Sequence, residues 1–133
     1  MPSKKTEMKD IETRALDVIK GIERTEQFIE GLDREAFLAD QKTQSAVERE
    51  LLRISEASTR LHRLEEQQKI DSKARLSTRF PQIPWSQIIG IGNILRHDYG
   101  RVDAGIAWAT VNGSDLEELK AVLLSAFPTL NDR

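Results

Sequence analysis

Apolar residues recur every three or four positions along two long segments of the chain. The first stripe starts near Asp10 and predicts a helix that ends at Gly31, and the second predicts a longer helix over residues 40 to 68. The first 8 residues lack such a pattern, and we expect residues 1 to 8 to form a loose polar arm. The apolar positions are Ile11, Ala15, Val18, Ile22 and Ile29 in the first stripe and Val47, Leu51, Ile54, Leu61 and Leu64 in the second.

The second predicted helix carries many charged residues between its apolar positions. We expect these residues to cover its solvent side, as in most amphipathic helices. They are Glu48, Arg49, Arg53, Glu56, Arg60, Arg63 and Glu65.

Shorter helices are predicted between and after these two. Asp33 is typical of a helix cap, ahead of a short helix whose Phe37 closes over the core. Residues 69 to 84 hold a turn and two prolines, so no regular element is expected there. Pro84 is typical of the first position of a new helix, and Gly100 is typical of the residue that ends one.

Two more helices complete the chain. Residues 102 to 111 form the first, and Ser114 with Glu117 has the spacing of a capping box at the start of the second. The sequence shows no convincing strand pair and no internal repeat. It therefore predicts one all-α domain over residues 1 to 133, an antiparallel four-helix-type bundle with one or two additional short helices.

The composition favours the same architecture. Of 133 residues, 38% are hydrophobic, 32% are charged and only 5% are aromatic, a balance typical of charge-rich helical proteins. The chain has no cysteine, which excludes a disulfide framework, a thiolate metal site and a thiol nucleophile. No apolar run approaches the roughly 20 residues of a membrane span, and the first residues lack a signal peptide's apolar segment. We expect a soluble cytoplasmic protein without membrane association.

Signatures of metal and nucleotide cofactors are missing from the sequence. Gly90 and Gly92 lie inside a helical pattern rather than after a strand, so they make a poor phosphate cradle. His62 and His97 are the only histidines, and no carboxylates accompany them at metal-ligand spacing. For His62, between apolar residues of a charge-rich helix, a surface or packed position is the simplest interpretation. We expect no metal and no cofactor.

Charge is unevenly distributed along the chain. The formal net charge of −2 argues against a nucleic-acid binder that relies on bulk positive charge. Residues 71 to 101 nevertheless hold five basic and two acidic residues, whereas residues 23 to 40 hold six acidic and two basic ones. The basic residues of the first segment are Lys73, Arg75, Arg79, Arg96 and Arg101.

The same basic segment contains the densest group of chemically versatile side chains. On a helix, Asn93 and His97 are one turn apart and share a face, and Arg96 lies about 100° around from the imidazole. An amide, a titratable ring and a guanidinium would then meet at one helix end. Each side chain also has an ordinary interpretation: a capping or packed histidine, a solvated arginine, and a core aromatic at Tyr99.

A longer motif spans this group. It reads Pro84-Trp85-x-x-Ile88-x-Gly90-x-x-Asn93-x-Leu95-x-His97-x-Tyr99-x-x-Val102-Asp103, and Ile54-x-Glu56-Ala57 precedes it on the second long helix. This pattern resembles the HepT-like branch of the HEPN superfamily. The likeness extends from about residue 11 to residue 126, and its second half is the specific part.

The resemblance implies a helical bundle that forms a homodimer and acts as a metal-independent RNA endonuclease, the toxin of a toxin-antitoxin pair. The implied partner is a minimal nucleotidyltransferase antitoxin, which in some family members transfers AMP to the tyrosine two positions after the histidine, here Tyr99. The family's ribonuclease motif is an Arg, a polar residue and then a His, contributed by each subunit to a cleft at the dimer axis. Asn93 matches the polar residue and His97 matches the histidine.

This chain departs from the family motif at one position. Gly92 stands where Arg is usual, and no Arg or Lys occurs from Trp85 to Leu95. Attack of a 2′-hydroxyl on the adjacent phosphate needs a proton acceptor and donor, which an imidazole can be, and a cation for the pentacoordinate charge. Arg96 is the candidate phosphate binder. The other candidates for RNA binding are Arg101 and the basic loop at Lys73, Arg75 and Arg79.

Three interpretations stay open on the sequence. In the first, the protein is a toxin ribonuclease with His97 as general acid or base and Asn93 as an orienting group. In the second, it is a HEPN binding or regulatory module that partners a nucleotidyltransferase and whose ribonuclease site has decayed at Gly92. In the third, it is a plain helical interaction protein in which His97 and Tyr99 are structural.

Overall fold

Both apolar stripes form long helices, and the all-α architecture is confirmed. The computed structural model describes residues 3 to 96 and 103 to 133, with only the backbone of residues 94 to 96. Regular structure in these ranges is entirely helical. The helices are α1 (Lys4–Ile29), α2 (Arg34–Leu38), α3 (Gln41–Gln67), α4 (Leu76–Arg79), α5 (Trp85–Arg96), α6 (Ala104–Asn112) and α7 (Asp115–Ala126).

The core is one cluster of buried residues to which all seven of these helices contribute, and its most extensive helix pair is α1 and α3, which pack along one another. Their stripe residues, such as Val18, Ile22 and Leu61, are fully buried. Helix α5 packs on α3 and α7 packs on α1. Phe37 and Trp108, whose ring centroids are 5.3 Å apart, join α2 to α6. None of the described helices combines the length and apolar composition needed to cross a membrane.

The N-terminal segment differs from the loose arm expected over residues 1 to 8, because α1 is helical from Lys4 onward. Ser3 caps this helix by accepting a hydrogen bond from the backbone N–H of Thr6. The side chain of Gln68, just after α3, donates to the carbonyl oxygen of Glu7 at 2.8 Å. This contact between distant parts of the chain supports a polar first turn that carries no apolar stripe of its own.

The segment over residues 69 to 84 is more regular than predicted. It holds the 3₁₀ turn Ser72–Ala74 and the single-turn helix α4. Glu65 was expected on the solvent side of α3 but is buried, because its carboxylate accepts a hydrogen bond from the N–H of Leu76 at the start of α4. One helical turn leaves no periodicity in a sequence, so neither short element could be predicted from the apolar pattern.

The capping box predicted at the start of α7 is wrong. The side chain of Ser114 makes no capping hydrogen bond, since its backbone already has helical φ and ψ of −83° and −15°. A capping side chain needs an extended backbone to point back at the first turn. Asp33 has that conformation and accepts from the N–H of Ala36 at 2.8 Å, so the cap predicted there is confirmed.

Candidate functional site

Two contacts fix how α5 lies against α3. The hydroxyl of Ser55 donates to the carbonyl oxygen of Ile89 at 2.6 Å and accepts from the N–H of Gly92 at 3.1 Å. Two turns further along α3, His62 packs edge-on against Trp85, with ring centroids 5.1 Å apart. Residue numbers rise along α3 as they fall along α5, so the two helices are antiparallel. His62 is thus a packed residue, as the sequence suggested.

Gly92 permits the close approach at Ser55. It is buried, and a Cβ atom added to it would lie 2.9 Å from the Oγ atom of Ser55, nearer than Cβ atoms come to their neighbours. At Gly90 an added Cβ would have no neighbour within 4 Å. Only one of the two glycines therefore marks a close contact. An arginine at position 92 is incompatible with this α3–α5 packing unless Ser55 moves.

Asn93, the predicted orienting residue, is exposed beside Gly92 and lines a cleft of about 470 Å³ between α3 and α5. On α3, Ser55, Thr59 and Arg63 are spaced by four residues and form one row along this cleft. An amide and two guanidinium groups therefore share one concave surface. The lining residues are Ser55, Glu56, Thr59, Arg60 and Arg63 from α3 and Ile89, Gly92 and Asn93 from α5.

The remaining predicted residues of the motif follow directly after this cleft in the sequence. Arg96 is the last residue of α5, and its side chain is outside the described part of the chain. His97, Tyr99 and Arg101 also lie outside the described residues. The roles of these four residues stay predictions from the sequence.

Comparison with known proteins identifies the family. The family model described as "Ribonuclease HepT-like" matches residues 18 to 126, which include α3, α5 and the cleft between them. The chain belongs to the HepT-like ribonuclease family.

Curated relatives agree with the HepT-like assignment. A protein of Thermococcus cleftensis named "Probable ribonuclease HepT" is 38% identical over 104 residues, which cover 78% of this chain and 84% of the relative. Two Methanocaldococcus jannaschii proteins, provisionally named RNase MJ1380 and RNase MJ0127, are 27% and 26% identical. These alignments cover 84% and 86% of this chain and 92% and 88% of the relatives. No solved structure matches at the same level of significance.

The basic loop that precedes α5 lies at the opposite end of that helix from Asn93. Arg75 donates its Nε–H to a backbone carbonyl at 2.9 Å, and the Arg79 guanidinium lies 5.0 Å from the ring centroid of the next residue. Since a helix rises about 1.5 Å per residue, Trp85 and Asn93 are about 12 Å apart along α5. Lys73 and the two arginines do not line the α3–α5 cleft, and their RNA-binding role stays a prediction.

The arginines that do line the cleft were not predicted as site residues from the sequence. Arg60 and Arg63 were expected only to cover the solvent side of α3. Arg60 also lines two further clefts between α1 and α3, of about 360 and 420 Å³, which contain Arg14 as well. The available signal was spacing, since Arg53, Arg60 and Arg63 follow one another by seven and three residues on one helix face.

Among the described residues, no three His, Asp or Glu side chains are grouped so that they could hold a metal ion.

Proposed function

We propose that this HepT-like protein is a metal-independent RNA endonuclease that acts as the toxin of a toxin-antitoxin pair. The observation that carries the proposal is the exposed Asn93 beside the α3–α5 cleft, near the end of α5 and four residues before His97. These two residues match the polar residue and the histidine of the family's ribonuclease motif. The relatives that are named as ribonucleases support the same activity.

RNA supplies the nucleophile of the proposed reaction. The 2′-hydroxyl oxygen bonds to the adjacent phosphorus, the bond from phosphorus to the 5′-oxygen breaks, and a 2′,3′-cyclic phosphate and a 5′-hydroxyl result. One His97 imidazole accepts the 2′-hydroxyl proton, and the His97 of a second subunit supplies a proton to the leaving 5′-oxygen. Arg96 offsets the charge on the pentacoordinate phosphate, and Asn93 orients it. DNA lacks the 2′-hydroxyl and should not be cut.

Two partners belong to the proposal: a second copy of the chain, and a minimal nucleotidyltransferase antitoxin. The antitoxin neutralises the toxin by AMP transfer, in which the Tyr99 oxygen attacks the α-phosphorus of ATP, pyrophosphate leaves and the phenolic proton is lost. The support is the spacing of His97 and Tyr99, which matches the modified members of the family. A nucleotide added two residues from His97 would place bulk and negative charge where the RNA phosphate has to bind.

Cleavage of a mixed RNA pool in the presence of EDTA tests the enzyme. We expect the wild type to cut, and His97→Ala to lose at least about 100-fold, since general acid–base catalysis contributes typically 10² to 10⁴ fold. Arg96→Ala should also lose about 100-fold or more, since removing one group that stabilises transition-state charge costs about 10² to 10³ fold. Circular dichroism checks that all three proteins are folded. In cells, His97→Ala should abolish growth inhibition. A wild-type protein that leaves the RNA pool intact contradicts the proposal.

Mass spectrometry after co-expression with the cognate nucleotidyltransferase tests the AMP transfer. We expect a mass gain of one adenylyl group on the wild type and no gain on Tyr99→Phe. An adenylyl group that persists on the phenylalanine variant would assign the modification to another residue.

Gly92 favours a second candidate function, that of a HEPN module whose ribonuclease site has decayed and which binds a nucleotidyltransferase. The tight Ser55 contact leaves no room for the usual arginine unless Ser55 moves. This candidate predicts intact antitoxin binding without RNA cleavage. The EDTA assay and a pull-down with the antitoxin separate it from the toxin.

A further inference from the structure

The α3–α5 cleft contains guanidinium groups, although Gly92 replaces the arginine of the family motif. Arg60 and Arg63 line it and are both exposed. Within the part of the chain that the structure describes, neither makes an ion pair. Arg24 and Arg53, by comparison, share the carboxylate of Glu50 at 3.5 and 3.3 Å. A guanidinium without a carboxylate partner is the better ligand for a phosphate.

The antiparallel register of the two helices locates these arginines relative to the motif. Ser55 is level with Gly92, and each residue further along α3 adds about 1.5 Å. Arg60 is therefore about 8 Å and Arg63 about 12 Å from that level, toward the start of α5. His97 follows the other end of α5. The arginines are thus placed for phosphates that flank the cleaved bond and not for the phosphate that is cleaved.

The surface around Arg60 extends beyond the cleft. Arg60 also lines the two clefts between α1 and α3, in which Arg14 takes part. Among the described residues that line the α3–α5 cleft, there are two guanidinium groups and one carboxylate, that of Glu56, so this part of the lining is net positive. An anionic strand can follow this surface from α5 across α3.

We propose that the α3–α5 cleft binds the RNA backbone next to the cleaved bond, with Arg63 and Arg60 each holding a phosphate. The proposal rests on the ribonuclease function above and extends it, because neither arginine belongs to the family motif. Phosphate contacts of this kind position a strand without reading its sequence. They bind substrate and transition state alike, so their loss raises KM and leaves kcat nearly unchanged.

Binding of a fluorescent 2′-O-methyl RNA oligonucleotide, which cannot be cut, provides the first test. Fluorescence anisotropy over a range of salt concentrations compares Arg60→Gln and Arg63→Gln with Lys42→Gln. Lys42 is a matched control, exposed on the same helix and about 27 Å from Arg60. We expect each arginine variant to lose about fivefold or more in affinity and about 0.7 in the salt slope for its one phosphate contact. The control should stay within about twofold.

Cleavage kinetics on unmodified RNA provide the second test. Arg60→Gln and Arg63→Gln should raise KM by a similar factor and keep kcat within about threefold of the wild type. His97→Ala should instead lower kcat.

The two tests separate failure of this inference from failure of the ribonuclease proposal. If the wild type cuts RNA and the arginine variants behave like Lys42→Gln, the cleft assignment falls and the ribonuclease stands. If the wild type does not cut but the arginine variants lose affinity for the oligonucleotide, the ribonuclease falls and the cleft stands. A wild type that does not bind the oligonucleotide overturns the cleft assignment, whatever the cleavage assay shows.

Discussion

Two charged regions of the molecule differ in whether their arginines are paired. Where α1 meets the C-terminus, Arg133 donates to both carboxylate oxygens of Glu23, at 2.7 and 3.0 Å, and Lys120 lies 3.5 Å from the same carboxylate. In the α3–α5 cleft, Arg60 and Arg63 have no ion-pair partner among the described residues. The paired group ties two ends of the fold together, whereas the unpaired arginines are available to a ligand.

Helix α3 packs closely against both α1 and α5, and the two close contacts differ in polarity. Glycines allow both contacts: an added Cβ at Gly21 would meet the side chain of Ile54 at 2.8 Å, and one at Gly92 would meet the hydroxyl of Ser55 at 2.9 Å. Toward α1 the contact is apolar and simply excludes water. Toward α5 it is a hydroxyl that holds two backbone groups beside the cleft, which sets the position of Asn93.

The largest effect on stability is expected from Gly92→Ala. The added methyl group pushes on Ser55 and weakens its two hydrogen bonds, and this outweighs the gain of about 1 kcal/mol in helix propensity. We expect the free energy of unfolding to fall by about 1 to 2 kcal/mol in urea titrations.

Gly90→Ala is the matched control for Gly92→Ala, two residues away on the same helix. Its added methyl group meets nothing within 4 Å, so helix propensity alone should act and raise the stability by about 0.5 to 1 kcal/mol. If both alanine variants shifted stability in the same direction, the Ser55 contact would not be what requires glycine at position 92.

Glu50→Gln converts paired arginines into unpaired ones. Glu50 is only 3% exposed and holds Arg24 and Arg53, which line the cleft between α1 and α3. Because both arginines are half exposed, we expect a loss of about 1 kcal/mol in stability. The affinity for the 2′-O-methyl oligonucleotide should rise about twofold to threefold as net positive charge appears beside Arg60. Unchanged affinity would show that the position of an arginine, and not its lack of an ion-pair partner, determines whether it binds RNA.

Elements with a periodic pattern were predictable from the sequence, and elements defined by one contact were not. The stripes predicted α1 and α3 because each holds several turns of buried positions. The first turns of α1, from Lys4 onward, are also held by a hydrogen bond between Gln68 and Glu7, 61 residues apart. The start of α4 depends on the buried carboxylate of Glu65. Such long-range contacts leave no local trace in the sequence.

The candidate site was predictable in part for a similar reason. The motif around Asn93 is contiguous, so it could be found without a structure. The arginines of the cleft lie about 30 residues earlier, and a helical pattern gives only their orientation around α3. Their proximity to Asn93 follows from the Ser55 hydrogen bonds, which set the register of α3 against α5.

The smallest expected effect on stability comes from the Glu23–Arg133 ion pair, and it depends on pH. The pKa of Glu23 is lowered from its ordinary value of 4.5, mainly because Arg133 donates hydrogen bonds to its carboxylate and, less, through the charges of Arg133 and Lys120. A lowered folded-state pKa stabilises the fold above the unfolded-state value, and this stability is lost as the pH falls through the folded-state pKa. Both side chains of the Glu23–Arg133 pair are about one-third exposed, so water and salt limit the contribution to about 0.5 kcal/mol.

Glu23→Gln should therefore be less stable than the wild type by about 0.5 kcal/mol at pH 7. The difference should shrink as the pH falls below about 4.5, because the Glu23 carboxyl group is then protonated first in the unfolded state and, at lower pH, in the folded state as well. Urea titrations from pH 7 to pH 3 measure the difference, and Arg133→Gln should remove the same increment at pH 7. RNA binding should stay unchanged in both variants, since these charges are already paired. A Glu23→Gln difference that is independent of pH would mean that the pair stabilises the C-terminus by packing and not by charge.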